Sequence, residues 1–387
     1  MTDASLSKSH CPTRVEFGRQ AWTRVAEIVQ KNNWSKVLLL TDPGLKGSRL
    51  HRSLVSSLKN LGIELEEFDG IDPEPTDKNV VSAMRVSSAL SPQVLVVLGG
   101  GSAIDVAKAV AIVATNGGEI SDYEGIDTFD VPPLPLIAIP TTAGTGSEVS
   151  GAAVITDTLR NSKMAIRHAH YGPATYAILD PEAISTTPQH VAIHSGIDAF
   201  VHAFESYLSK LANPFTDAQN LHAIRLISDN LRPYVANREN QDAAFNMLCA
   251  SSMAAMSFGT TGTGNVHCMA MALGSKYPIP HGLANAVCLP HVAEFNFIAT
   301  PQRFAILAAT MGIDTRGLST LDAGRKAITA IKELCDDLNV PPRLRDVGVE
   351  EKDLPEISEK CFLLDYNRWN PRWTTEKDFL TLLQKAY

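Results

Sequence analysis

Apolar residues in the first half of the chain come in short unbroken runs separated by amphipathic stretches. Val37-Leu38-Leu39-Leu40, Val94-Leu95-Val96-Val97-Leu98 and Leu136-Ile137-Ala138-Ile139 are continuously apolar, and residues 63–68 read as a further strand. Between them, residues 22–30, 50–61 and 78–90 carry apolar positions at helical spacing. A continuously apolar strand is buried on both faces, so this alternation predicts a mostly parallel sheet covered by helices on both sides. From about Pro181 the texture changes. Long Ala-, Leu- and Met-rich segments at 191–210, 216–235, 241–256, 303–311, 324–338 and 376–386 predict helices without strands. Ser185-Thr186-Thr187-Pro188 is the turn-rich break between the two textures. The expected organisation is an α/β nucleotide-binding domain over residues 1–184 and an all-α domain over 185–387, with the ligand in the cleft between them.

Composition narrows the function classes. The 387 residues are 44% hydrophobic and 20% charged with a net charge of −8, which suits a globular chain and disfavours nucleic acid or an anionic membrane as main partner. No apolar run approaches the roughly 18–20 residues needed to span a bilayer. Met1 to Pro12 is polar and lacks the apolar core of a secretory signal. Cys11, Cys249, Cys268, Cys288, Cys335 and Cys361 lie scattered, the usage of reduced thiols in a cytoplasmic protein.

Two loops suggest a nucleotide. Leu98 is followed at once by Gly99-Gly100-Gly101-Ser102, a glycine triplet between a buried strand and a helix that Ser102 is placed to cap. Backbone N–H groups at such a helix start attract a pyrophosphate, and glycines permit positive φ and close approach. A tight strand-to-helix turn is the plainer reading of the triplet alone. Thr141-Thr142-Ala143-Gly144-Thr145-Gly146-Ser147-Glu148 follows another buried strand. Two such loops at the carboxyl ends of parallel strands converge on one crevice and together favour a dinucleotide. Asp42 closes the first of these strands, where an acid accepts from a ribose 2′-OH and repels a 2′-phosphate, favouring NAD. A solvated strand-end Asp fits the sequence equally well.

The helical half holds a second constellation. Asp198 and His202 stand at i and i+4 in an apolar helical stretch, His267 lies in a small-residue apolar run, and His281 follows Pro278-Ile279-Pro280. Burying an imidazole without a partner costs about 1–3 kcal/mol. A hydrogen-bonded Asp/His pair would account for the first two residues alone. The four together form a ligand set for Fe2+, Zn2+ or a similar divalent ion.

With these residues the chain resembles the iron-containing (group III) alcohol dehydrogenase family from about residue 17 to 387, in particular its 1,3-propanediol and lactaldehyde-type dehydrogenases. The matching motifs are Thr41-Asp42, Gly99-Gly100-Gly101-Ser102, Pro140-Thr141-Thr142-Ala143-Gly144-Thr145, Lys163, Asp180-Pro181, Gly196-Ile197-Asp198-Ala199 with His202, Val266-His267, Pro280-His281-Gly282-Leu283-Ala284-Asn285-Ala286 and Asn370-Pro371-Arg372. The resemblance implies a dehydroquinate-synthase-like architecture, an α/β domain with a mostly parallel NAD-binding sheet followed by an all-α metal-binding domain. It implies a divalent metal, Fe2+ first with Zn2+ or Mn2+ as options, held by Asp198, His202, His267 and His281. It places NAD against Asp42, Gly99, Gly100, Gly101, Ser102, Asp105, Thr141, Thr142, Thr145, Ser150 and Lys163. A homodimer or higher homo-oligomer is implied too. The implied reaction interconverts a small primary alcohol and its aldehyde, with no catalytic side chain identified beyond the metal site.

Three departures bear on the substrate and the proton. The family's second histidine, four residues after the first histidine of this stretch, is Met271 here, and a thioether shuttles no proton. The segment before His267 reads Phe258-Gly259-Thr260-Thr261-Gly262-Thr263-Gly264-Asn265, richer in hydroxyls than its relatives. Glu74 stands where the family pattern places Asn. Phe258, Thr260, Thr261 and Met271 are accordingly expected in the substrate pocket, and a polar or anionic tail (hydroxy acid, phosphonate or sulfonate) is expected on the substrate. Arg368, Trp369, Arg372 and Trp373 are expected to close the cleft. Two rival classes are a dehydroquinate-synthase-like lyase, which would need a Lys/Arg phosphate cluster in the helical half, and a weakly active NAD- and metal-binding assembly or sensor subunit.

Overall fold

The structure, a computed structural model, describes residues 10–387. Residues 1–9, most of the N-terminal stretch considered for a signal, lie outside the described residues. The chain divides into two compact units, residues 10–187 with 238–248, and residues 188–237 with 249–387.

The first unit is built on the short apolar runs. Its strands are β1 (Arg14–Phe17), β2 (Lys36–Thr41), β3 (Glu64–Phe68), β4 (Val94–Gly99), β5 (Gly125–Ile126), β6 (Leu136–Pro140), β7 (Ala152–Asp157), β8 (Ser162–Arg167) and β9 (Tyr176–Leu179). Six of them form one sheet in the order β1-β9-β6-β4-β2-β3, with every neighbouring pair parallel. Side-chain alternation sorts the central runs between two cores. Leu38, Leu40, Leu95 and Val97 pack on α3 (Asp77–Leu90) and α4 (Gly101–Asn116) through Val80, Ala83, Ala103 and Ala107. Val37, Leu39, Val94 and Val96 pack on α1 (Arg24–Lys31) and α2 (Arg49–Lys59) through Val25, Ile28, Leu54 and Leu58. Each such side chain contributes about 1.5–3 kcal/mol when fully buried.

Chain order reverses at β2, the second strand from one edge of this sheet. β2 is flanked by β3 on one side and by β4 on the other. Open parallel sheets bind ligands outside the carboxyl ends of the strands at such a reversal. Asp42 directly follows β2, and Gly99 ends β4. A small second sheet, β5-β8-β7, pairs β7 and β8 as an antiparallel hairpin and carries Lys163 on β8. This hairpin, β1 and β9 were not expected from the apolar runs.

The second unit is helical. It holds α5 (Gln189–Leu208), α6 (Pro214–Ala236), α7 (Gln241–Thr261, whose first turns belong to the first unit), α8 (Asn265–Gly274), α9 (His281–Phe297), α10 (Pro301–Thr310), α11 (Thr320–Asp337), α12 (Leu354–Leu363) and α13 (Glu376–Ala386). α7 runs past its expected end at residue 256, and α12 was not anticipated. Gly196 lets α5 and α6 approach, since a Cβ there would lie 2.2 Å from Leu231 Cδ1. Among the described residues no helix is long and apolar enough to cross a membrane.

Candidate metal centre and cofactor loops

α5 is buried continuously from Gly196 to Leu208, and three of its buried side chains are Asp198, His202 and Glu205. α8 places His267 in its first turn, and α9 begins at His281, with Pro280 fixing the backbone before it. Asp198, His267 and His281 each offer a ligand atom, all within 4.8 Å of one another. Asp198 Oδ1 is 3.8 Å from His281 Nε2 and 4.0 Å from His267 Nε2. These separations are too long for hydrogen bonds and near the roughly 3.4 Å between ligand atoms of a tetrahedral ion bound at about 2.1 Å. His202 stands beside this set. Its Nδ1 is 3.8 Å from Asp198 Oδ2, its ring lies 4.7 Å from that of His267, and Phe258 stacks on it at 4.4 Å.

Two residues not singled out from the sequence hold the ligands. Glu205 accepts from Gly264 N–H at 2.8 Å and from Val266 N–H at 2.6 Å, and lies 2.7 Å from His267 Nδ1. Asn285 Nδ2 donates to Asp198 Oδ1 at 2.6 Å and lies 3.1 Å from His281 Nε2. Each has a faint signal in the sequence: one acid in the apolar run 199–208 and one amide in the apolar run 283–289.

The residues fit a divalent ion. His267 Nε2 is buried and has no hydrogen-bond partner, a state that costs about 1–3 kcal/mol and that a bound ion relieves. Burial pushes the Asp198 carboxyl up, but the nearby His202, His281 and His267 and the Asn285 bond bring it net below its usual range. Burial pushes the His267 imidazole down, but the Glu205 hydrogen bond and charge, with Asp198, leave it net above its usual value. The first shift keeps Asp198 ionised, and the second reflects the negative charge of Glu205 and Asp198 around His267, which favours a cation.

The glycine triplet serves space. None of Gly99, Gly100 and Gly101 has positive φ. A Cβ on Gly99 would lie 2.5 Å from Ala103 Cβ and 2.8 Å from Asp42 Oδ2, and one on Gly101 would lie 2.8 Å from Thr145 Oγ1. Gly100, not Ser102, caps α4, and the Ser102 hydroxyl donates to Pro73 O at 2.6 Å. Asp42 Oδ2 accepts from Gly100 N–H at 2.8 Å; burial holds its carboxyl above the usual range, with this bond opposing. Thr141 N–H donates to Gly99 O at 3.0 Å, and Thr142 lies against Gly100, so the two loops pack on each other.

Asp105 and Ser150, expected against the cofactor, are internal ties. Asp105 accepts from Ser147 Oγ and from Val154 N–H, and Lys108 Nζ donates to Ser150 O and Ala152 O, both at 2.8 Å. Burial pushes the Lys108 amine down to about 8. Lys163 pairs with Glu74 at 2.7 Å, so the departure at Glu74 has a partner.

The expected pocket residues also divide. Thr261 is buried and its hydroxyl is engaged with Ser206 Oγ at 2.7 Å and Ser257 O at 3.3 Å, which turns it into the α5–α7 seam and away from a substrate role. Thr260 is half-buried at the end of α7, and Met271 is half-buried one turn after His267. Trp369 packs on Gly262, where φ is +67° and a Cβ would lie 2.3 Å from Trp369 Cε3. Arg372 donates to Phe295 O at 2.7 Å and lies over the Phe295 ring. Arg368 lies over Trp369, whereas Trp373 is exposed.

Residues 12–181 match the family model described as iron-containing alcohol dehydrogenase, and residues 192–387 match its C-terminal counterpart. The chain is 42% identical to the 1,3-propanediol dehydrogenase of Klebsiella pneumoniae over 96% of each chain. A solved 1,3-propanediol oxidoreductase superposes with a TM-score of 0.96 at 40% identity, over 99% of this chain and all of the other. The sulfoacetaldehyde reductase of Bifidobacterium kashiwanohense, solved with NAD+, superposes with a TM-score of 0.89 at 26% identity over 99% of each chain.

Proposed function

This chain belongs to the iron-containing alcohol dehydrogenase family, and from that membership we propose an NAD(H)-dependent oxidoreductase of small primary alcohols and their aldehydes. Its substrate carries a second polar group and is handled at a divalent metal held by Asp198, His202, His267 and His281. The observation that carries the reading is the buried His267 Nε2, unpartnered and 4.0 Å from Asp198 Oδ1.

When bound, the metal supplies a Lewis acid for the substrate oxygen and NAD supplies the hydride acceptor. The chain's own groups orient both. The first-turn N–H groups of α4 would hold the pyrophosphate of bound NAD, with Thr142 and Thr145 packed against the glycines. Asp42 keeps Oδ2 on Gly100, and its carboxylate would accept from a ribose hydroxyl of bound NAD and disfavour a 2′-phosphate. Phe258 holds the His202 ring by stacking. Met271 has no titratable atom, so the alcohol proton would leave by another route: water, another side chain or the ribose hydroxyls.

Support for a polar tail comes from the relatives: the Klebsiella enzyme is named for 1,3-propanediol and the NAD+ complex for sulfoacetaldehyde, both with a polar far end. We also propose a cytoplasmic homo-oligomer. All six cysteines are free and four are buried, as a reducing compartment permits, and the edge strand β1 carries the exposed Phe17, which a second copy would cover. The test compares kcat/KM for 1,3-propanediol, 2-hydroxyethylsulfonate and 1-butanol, each with NAD and NADP. One well-placed hydrogen bond to the tail is worth about tenfold, so a polar-tailed alcohol should lead butanol by at least that factor, with NAD preferred. Butanol ahead of both would sink the polar-tail reading.

A further inference from the structure

We infer that Glu205 is a positioning residue of the metal centre: its carboxylate locks His267 as the Nδ1–H tautomer and keeps the Nε2 lone pair free for the ion. This rests on the metal reading above. Glu205 Oε1 accepts from Val266 N–H at 2.6 Å, and Oε2 faces Gly264 N–H at 2.8 Å and His267 Nδ1 at 2.7 Å. Backbone N–H groups only donate, so each oxygen accepts one of them, an arrangement that suits a carboxylate carrying no proton. An ionised carboxylate has no proton to give, so Nδ1 carries the hydrogen of this contact. A neutral imidazole with hydrogen on Nδ1 has its lone pair on Nε2. That atom is the buried, unpartnered one 4.0 Å from Asp198 Oδ1.

The surrounding backbone is shaped for this contact. A Cβ on Gly264 would lie 3.0 Å from Glu205 Oε1, so glycine lets the chain come up to the carboxylate. The start of α8 adds its N–H groups and partial positive charge, which stabilise a buried anion. Glu205 lies two turns after Asp198 on α5, so one helix supplies a ligand and also orients a ligand on α8. A group that merely capped α8 would need no hold on the imidazole. Glutamine separates the two roles. Either way round, its NH2 confronts a backbone N–H, at Val266 or at Gly264. In the second orientation it also donates toward Nδ1, favouring the Nε2–H tautomer that blocks the metal.

Metal-free wild type and Glu205→Gln are titrated with Co2+, read by visible absorption, with circular dichroism and apo melting temperature followed in parallel. The variant should keep its helical signal and bind Co2+ about 10–100-fold more weakly, as loss of a group orienting a metal-bound histidine does. In the metal-free wild type, the 15N shifts of His267, assigned by their loss in His267→Ala and followed to pH values where the ring is neutral, should show hydrogen on Nδ1 and none on Nε2. This second readout stands even if the variant fails to fold. A lower apo melting temperature with unchanged Co2+ affinity would overturn the inference alone, as would an Nε2–H tautomer. Wild-type protein that takes up no Co2+ would overturn the metal reading, and the inference with it.

Discussion

Asp198→Ala is expected to lose the bound metal and to lower kcat/KM by at least about 10^3-fold, while the helical unit stays folded. Asp198 is the carboxylate around which the imidazoles gather: His281, His267 and His202 each place a nitrogen within 4.0 Å of one of its oxygens. Without it the site is three neutral nitrogens, and the negative charge that offsets a divalent cation is gone. Lewis-acid stabilisation of developing oxygen charge is worth several kcal/mol, and each 1.36 kcal/mol is a factor of about ten, which sets the expected loss. Folding should suffer less. Asn285 Nδ2 loses its 2.6 Å acceptor, a cost of about 1–3 kcal/mol, but a buried carboxylate is removed at the same stroke. Metal content after purification, kcat/KM and the urea midpoint check the three parts. A variant that retained one metal per chain and activity within tenfold of wild type would remove Asp198 from the ligand set.

Gly99→Ala should raise KM for NAD by roughly 5–150-fold. The added Cβ would sit 2.5 Å from Ala103 Cβ and 2.8 Å from Asp42 Oδ2, where carbon atoms prefer about 3.5–4 Å. Relief requires moving either the start of α4 or the Asp42 carboxylate, and both are cofactor elements in this account. Overpacking of this kind costs about 1–3 kcal/mol, which expressed in cofactor binding gives the stated range. The melting temperature should fall as well, because Ala103 belongs to the core beneath the sheet. Steady-state kinetics with varied NAD would measure it. An unchanged KM would mean that α4 does not contact the cofactor.

The parallel sheet was readable because β2, β4 and β6 are buried on both faces and so are continuously apolar, a pattern that needs no partner to be recognised. β1 is a four-residue edge strand, and the β7–β8 hairpin is only partly buried, so neither leaves such a run. The candidate ligands stood out because histidine and aspartate are costly in apolar helices, and the family motifs named them. Their supports were not. Glu205 and Asn285 draw their meaning from contacts across 62 and 87 residues of sequence, and no local spacing encodes these. The same limit explains Asp105, Ser150 and Ser102. Each sits in or within a few residues of a glycine-rich loop where a cofactor role is plausible by type, yet long-range bonds to Val154, Lys108 and Pro73 engage them. The glycine triplet was located from sequence, but its reason is contact with Asp42, Ala103 and Thr145 and not backbone handedness.

The most direct test of the account is metal removal and return on the wild-type enzyme. After chelation and dialysis, NADH-dependent reduction of 3-hydroxypropanal should fall to background, and about one equivalent of Fe2+ per chain should restore it. Full activity in protein shown to be metal-free would contradict the central claim that Asp198, His202, His267 and His281 work by holding a metal.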